Sequence, residues 1–190
     1  MSAQTDLERL LVERGALLDG HFMLSSGRHS GRFIQKFRVL EDPALLEWPA
    51  RAIARHFEPS EPTIVVGAAV GGILLAYEVA RHLRTKAMFT EKVNGIATLR
   101  RGFALHPSDR ALVVEDVITT GLSVRETLGV VRAAGTQAIG VGAMVIREPI
   151  ALPVPVYAVL ELPLDSYAPD ACPHCASGDP LSDPGSRRAG

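Results

Sequence analysis

Ala-Leu-Val-Val-Glu-Asp-Val-Ile-Thr-Thr-Gly-Leu-Ser, residues Ala111 to Ser123, is the stretch on which both fold and chemistry turn. Leu112, Val113 and Val114 follow one another without polar alternation, the pattern of a strand buried on both faces. Two carboxylates, Glu115 and Asp116, come next, then Val117 and Ile118, then the hydroxyl- and glycine-rich turn Thr119-Thr120-Gly121-Leu122-Ser123. A helical pattern starts at once with Val124 to Val131. Such a turn offers an anion backbone N–H groups, hydroxyls and the positive end of a helix dipole. The carboxylates lie too close to that cradle to bind phosphate themselves. They suit sugar hydroxyls or a magnesium ion, which takes oxygen ligands beside phosphate. The stretch therefore predicts a ligand with phosphate at one end and a polyol in the middle. Taken singly, Thr-Thr-Gly is ordinary turn chemistry, Ser123 an N-cap and Glu-Asp a solvated strand end. It is their conjunction that points to a site. A Walker phosphate loop is excluded, because no Gly-x-x-x-x-Gly-Lys-Ser/Thr occurs.

Outward from this stretch, apolar runs alternate with helical periodicity. Ile64–Val66, Ala87–Phe89, Leu112–Val114, Ile139–Ile146 and Val156–Leu162 predict five strands. Ile73–Leu83 and Val124–Ala134 predict the helices between them, the second ended by Gly135. Strands separated by helices imply βαβ units, hence an α/β fold: a mostly parallel five-stranded sheet flanked by helices. Upstream, Thr5 reads as an N-cap with Glu8 as its capping-box partner, and Gly15 ends that helix. Residues 20–38 read as two strands about a Ser/Gly turn and form the most basic segment, with Arg28, Arg32, Lys36 and Arg38. Pro43–Phe57 reads as a helix kinked or broken at Pro49. The last twenty or so residues, rich in Pro, Gly, Ser and Asp, read as an irregular tail. Ligands of such sheets bind beyond the carboxyl ends of the strands. The loops at 67–72, 90–100, 115–123 and from 147 onward are therefore expected to converge.

Bulk properties narrow the function. A chain of 190 residues suits a single domain, residues 1–190, and 47% apolar with 22% charged residues is ordinary globular composition. A net charge of −1 argues against a broad nucleic-acid-binding surface. Charges at Asp6, Glu8, Arg9, Glu13 and Arg14 argue against a signal peptide. The run Ile64–Tyr77 is too short and glycine-rich to span a bilayer. The expectation is a cytoplasmic protein without membrane or nucleic-acid partners. Cys172 and Cys175, as Cys-Pro-His-Cys, are the only cysteines. That excludes a disulfide scaffold and leaves a structural role beside metal or redox chemistry. Two such tails meeting in a dimer would complete a four-sulfur site, with His174 badly placed to be a third ligand.

Three further segments carry candidate chemistry. Gly67 to Gly72 supplies small residues and free N–H groups for close approach of a pyrophosphate, although a tight turn with close helix packing needs the same glycines. Residues 90–103 carry Lys92, Arg100 and Arg101. A mobile loop there would close these cations over a leaving pyrophosphate; a solvated basic hairpin is the plainer alternative. Arg147 directly follows a strand, the natural place for a bidentate carboxylate clamp, with a surface ion pair to Glu148 as the alternative.

The segment Val-Val-Glu-Asp-Val-Ile-Thr-Thr-Gly-x-Ser resembles the phosphoribosyl pyrophosphate (PRPP) signature of the type I phosphoribosyltransferases, and is especially similar to its orotate phosphoribosyltransferase form. The resemblance extends over about residues 5–182. It implies a type I phosphoribosyltransferase-like fold with a small N-terminal hood, about residues 1–40, and a tail from about residue 168. It implies that Glu115 and Asp116 hold ribose hydroxyls and that Thr119 to Ser123 hold the 5′-phosphate. Val117, Ile118, Gly71, Gly72 and Lys92 complete the PRPP contacts, with Mg²⁺ near Asp116, carried mainly by PRPP and water. Phe22-Met23-Leu24-Ser25-Ser26-Gly27-Arg28 is similar to the family's Phe-Thr-Leu-Lys-Ser-Gly-Arg flap over the base. Phe22, Ser25, Ser26, Thr119 and Arg147 are thereby implied to contact orotate. Lys92, Arg100 and Arg101 are implied to be catalytic, on a shortened loop that reaches the neighbouring subunit of a homodimer. Two departures stand out: Ser25 and Gly71 occupy positions where the family carries lysine. The activity implied is Mg²⁺-dependent transfer of the phosphoribosyl group from PRPP to orotate in pyrimidine synthesis. The alternatives are a sister enzyme for a purine or uracil, and a weakly catalytic PRPP-sensing regulator.

Overall fold

The five apolar runs become five parallel strands. The computed structural model describes residues 3–24 and 26–184. The chain passes through α1 (Ala3–Glu13), β1 (Leu17–Met23), β2 (His29–Ile34), α2 (Phe37–Leu40) and α3 (Pro43–Phe57). It continues through β3 (Ile64–Ala68), α4 (Gly71–Leu83), β4 (Lys86–Val93), β5 (Ile96–Leu99), β6 (Arg110–Ile118) and α5 (Leu122–Ala133). β7 (Gln137–Ile146), β8 (Val156–Glu161) and the short α6 (Pro173–Ala176) complete it. The main sheet has the order β5-β4-β3-β6-β7-β8, with β4, β3, β6, β7 and β8 mutually parallel.

Successive strand residues feed opposite cores, as the two-residue period of a strand requires. Val65, Leu112 and Val114 pack with Ile53 of α3 and Leu75 and Val79 of α4. Ile64, Val66, Ala111 and Val113 pack with Val124, Leu128 and Val131 of α5. Both faces of the sheet are covered, which is why β6 opens on the unbroken aliphatic run Ala111–Val114. Helix α3 lies so close to β7 that a Cβ at Gly140 would overlap Phe57 and one at Gly142 would overlap Ile53.

Several expectations are corrected. The sheet has six strands, because residues 90–103 are a hairpin whose second arm, β5, pairs antiparallel with β4. Its turn is Asn94-Gly95, both at positive φ (52° and 82°), the conformation a two-residue hairpin selects. Helix α3 runs through Pro49 without a break; Pro49 lies among the helix's buried residues, so packing outweighs the lost hydrogen bond. Asp42 caps that helix, its carboxylate accepting from the Ala44 N–H at 2.9 Å. Helix α1 starts at Ala3, so Thr5 lies inside it rather than capping it. The C-terminal segment is no loose tail. Its backbone pairs with both edges of the β1–β2 hairpin, through Tyr167 with His29 and Ser182 with Phe22. Free N–H and C=O groups on hairpin edges are satisfied in this way.

Candidate active site

β6 and α5 build the centre of the site. The strand ends at Ile118, and Gly121, at φ 74°, turns the chain into α5. A Cβ at Gly121 would stand 3.1 Å from Ile150, so this turn needs glycine both for its torsion and for its space. Thr119, Thr120, Leu122 and Ser123 are exposed around it, with Ser123 in the first turn of α5.

Glu115 and Asp116 are 7% and 0% exposed. A buried carboxylate requires a partner. Asp116 finds it in Lys36, just after β2, whose Nζ lies 2.9 and 2.8 Å from its two carboxylate oxygens. The Asp116 carboxylate also accepts from the Val117 N–H at 2.6 Å. Burial, reinforced by the charge of Asp116, pushes the Glu115 carboxyl up to about 8, with Lys36 acting in the opposite sense. Gly71 packs directly against Asp116; a Cβ there would overlap Oδ2. A lysine at position 71 is incompatible with this arrangement, so that departure and the Lys36–Asp116 pair belong together.

These groups open into a cavity of about 500 Å³. Its walls include Glu115, Asp116, Val117, Thr119 and Ser123 from the central segment, together with Ala69 and Val70 from the loop before α4. Lys36 and Phe37 come from the hood side, as do Met23, Leu24 and Gly27 from the hairpin. Arg147 enters from the end of β7. Its guanidinium donates to the Leu164 carbonyl at 3.4 Å, while its buried Nε has no partner. Desolvation lowers its pKa, partly offset by the charge of Glu148. A half-buried guanidinium with a spare N–H is chemically able to receive an anion.

Other sequence-derived candidates sit elsewhere. Lys92, Arg100 and Arg101 stand on the β4–β5 hairpin and do not line this cavity. Lys92 pairs with Glu126 at 3.1 Å; Arg101 and Arg100 lie 3.1 and 3.9 Å from Glu91. Phe22 is buried against Phe33, with ring centroids 5.7 Å apart, and its neighbours Met23 and Leu24 face the cavity instead. Ser26 is exposed at the hairpin tip, and Ser25 lies outside the described residues. Gly71 and Gly72 are buried in the first turn of α4, Ile118 is buried, and Leu122 is 57% exposed. Arg28 turns away to donate to the side chain of Ser166 at 3.0 Å and to its carbonyl. Sequence reading missed Lys36, which looked like one more charge on a basic hairpin. The available signal was its partner: a carboxylate embedded in an aliphatic strand must be neutralised from elsewhere in the chain.

No family model matches the chain. A relative from Pelotomaculum thermopropionicum, an orotate phosphoribosyltransferase, is 45% identical over 185 residues, 96% of this chain and 97% of the relative. The chain belongs to the orotate phosphoribosyltransferase family. An orotate phosphoribosyltransferase of Carboxydothermus hydrogenoformans is 42% identical over 96% of this chain and 98% of its own length. The crystal structure of the orotate phosphoribosyltransferase from Aeropyrum pernix superposes with a TM-score of 0.70 at 27% identity, covering 82% of this chain and 93% of that one. Family membership accounts for the mostly parallel α/β sheet flanked by helices.

Proposed function

We propose that this chain transfers the 5-phosphoribosyl group of PRPP to N1 of orotate, giving orotidine 5′-phosphate and pyrophosphate in pyrimidine synthesis. The observation that supports this most is Arg147 sharing one cavity with the Glu115–Ser123 segment. Among the candidate bases, orotate carries a carboxylate; adenine, guanine and uracil do not. A guanidinium with a spare buried N–H matches that carboxylate.

In this reading the Thr119–Ser123 turn and the α5 N-terminus hold the 5′-phosphate. Glu115 and Asp116 hold the ribose hydroxyls. Ala69 to Gly72, opening α4, receive the pyrophosphate by a second helix N-terminus. As the bond from the anomeric carbon to pyrophosphate breaks, positive charge grows on the ribose and negative charge on the leaving group. The protein's task is to align N1 of orotate with that carbon, neutralise the departing charge and exclude water. The oxygen donors of Glu115 and Asp116 fit a magnesium ion only in part, because both Asp116 oxygens face Lys36. Asp116 would therefore lie near a Mg²⁺ brought in with PRPP and water, and that ion would supply charge neutralisation to the leaving group.

Lys92, Arg100 and Arg101 act in a homodimer, where the hairpin reaches the partner's cavity. That they do not line this chain's own cavity supports that arrangement. The whole chain, residues 1–190, works as one domain with residues 1–40 as its hood, in the cytoplasm. Among the described residues, no helix is long and apolar enough to cross a membrane. The test is to supply PRPP and Mg²⁺ with orotate, uracil, adenine, hypoxanthine and guanine in turn, and to measure nucleotide and pyrophosphate. Orotidine 5′-phosphate with stoichiometric pyrophosphate is expected. Turnover of a purine or uracil in its place would assign a sister activity, and no turnover of any base would favour a PRPP sensor.

A further inference from the structure

Far along the chain from the catalytic segment, four side chains meet that the transfer reaction does not use. His21 and His29 stand on the two strands of the hood hairpin, and Cys172 and Cys175 come from the C-terminal segment. Their ligand atoms all lie within 4.8 Å of one another. His21 Nε2 is 3.0 Å from His29 Nδ1, 3.5 Å from Cys172 Sγ and 3.7 Å from Cys175 Sγ; Cys175 Sγ is 3.2 Å from His29 Nδ1. Tetrahedral zinc with ordinary bond lengths would set N···N at about 3.4 Å, N···S at about 3.6 Å and S···S at about 3.8 Å. The one N···N and three N···S separations given above fall within a few tenths of an ångström of these values, and the full set stays within 4.8 Å.

The surroundings fit as well. The Asp179 carbonyl, which can only accept, lies 3.0 Å from His21 Nδ1. That places the proton of His21 on Nδ1 and turns the lone pair of Nε2 into the cluster, the outer-sphere arrangement typical of a metal-bound histidine. Three of the four residues are buried: His21 at 4%, His29 at 6% and Cys172 at 3% exposed. His174, inside the Cys-x-x-Cys, is not part of the set. It pairs with Asp179 at 2.9 Å and stacks on the His21 ring. The partners completing the Cys-x-x-Cys half-site thus come from the hood of the same chain, and no second tail is needed.

We propose that His21, His29, Cys172 and Cys175 form a structural zinc site that staples the C-terminal segment to the hood. Two sulfur and two nitrogen donors in a closed, mostly buried set select zinc among common divalent ions and leave no open position for chemistry. The staple closes a loop of most of the chain. It also reinforces the pairing of Ser182 with β1, next to which Asp183 and Pro184 join Met23 and Leu24 in the cavity wall. The site therefore holds the hood, and takes no part in bond making.

The full chain, purified under reducing conditions without added chelator, is expected to contain one zinc per chain by elemental analysis. Replacing that zinc by Co²⁺ should give the d–d bands of a tetrahedral ion and a thiolate-to-cobalt charge-transfer band. Cys175→Ser and His29→Ala should each retain below about a tenth of the metal at limiting zinc, whereas His174→Ala should retain it in full. A wild-type protein that takes up neither zinc nor cobalt, or that carries Cys172 and Cys175 only as a disulfide, would overturn the proposal. So would full zinc occupancy in Cys175→Ser, or loss of metal from His174→Ala. The wild-type measurements decide the matter even if a variant fails to fold.

Discussion

Asp116 is wholly buried beside aliphatic neighbours, and a single ammonium, that of Lys36, makes its charge tolerable. Replacing that ammonium by a neutral group of similar length tests the pairing. Lys36→Met should cost about 2 kcal/mol of stability, less than a fully buried broken pair because the lysine side chain remains 34% exposed. Chemical denaturation would read this, and an unchanged midpoint would show that Asp116 is neutralised otherwise. Glu115 behaves differently: its carboxyl is raised to about 8, so the folded ligand-free chain holds a proton that the unfolded chain releases near 4.5. Its contribution to stability is complete below about pH 4.5 and is lost as pH rises through about 8. Wild type should lose more stability than Glu115→Gln between pH 5 and pH 8, measured by urea unfolding at both. Parallel pH profiles would contradict the raised carboxyl. The same two groups explain what the sequence concealed. A Glu-Asp pair announces itself, but the lysine that balances it is eighty residues away in the chain and is set there only by the fold.

At the scale of elements, the parallel strands were legible because a strand buried on both faces carries an unbroken aliphatic run, as Ile64–Val66 of β3, Leu112–Val114 of β6 and Met144–Ile146 of β7 do. The strand-turn-helix of the central segment was legible for a related reason. Gly121 at positive φ, two threonines before it and Ser123 after it have few other uses in one turn. Gly121→Ala should cost about 1–2 kcal/mol from the left-handed backbone alone. It should also weaken PRPP binding more than orotate binding, read as separate KM values; equal or absent effects would argue against the phosphate cradle. The β4–β5 hairpin was less legible. Its basic residues suggested a loop closing over pyrophosphate, whereas Asn94-Gly95 carried the stronger local signal of a two-residue turn. The C-terminal segment was hardest, because its order comes from backbone pairing with the hood rather than from any periodicity of its own.

At the scale of the whole molecule, one cavity joins the β6–α5 turn, the β1–β2 hairpin and the end of β7, while the basic residues of the β4–β5 hairpin do not line it. If that hairpin serves a partner's cavity, Lys92→Ala and Arg147→Ala chains should be individually weak and complementary when mixed. Random re-association would give hybrid dimers with one intact site, restoring roughly a quarter of wild-type activity. No recovery on mixing would place Lys92 in its own chain's site or exclude the dimer. The central claim, that this cavity joins a PRPP cradle to a carboxylate clamp for orotate, rests on Arg147. Its most direct test is the ratio of kcat/KM for orotate to that for uracil, measured in wild type and in Arg147→Ala. Loss of a charge-assisted pair predicts that the ratio falls by about 10- to 100-fold in the variant. A ratio left unchanged would contradict the account.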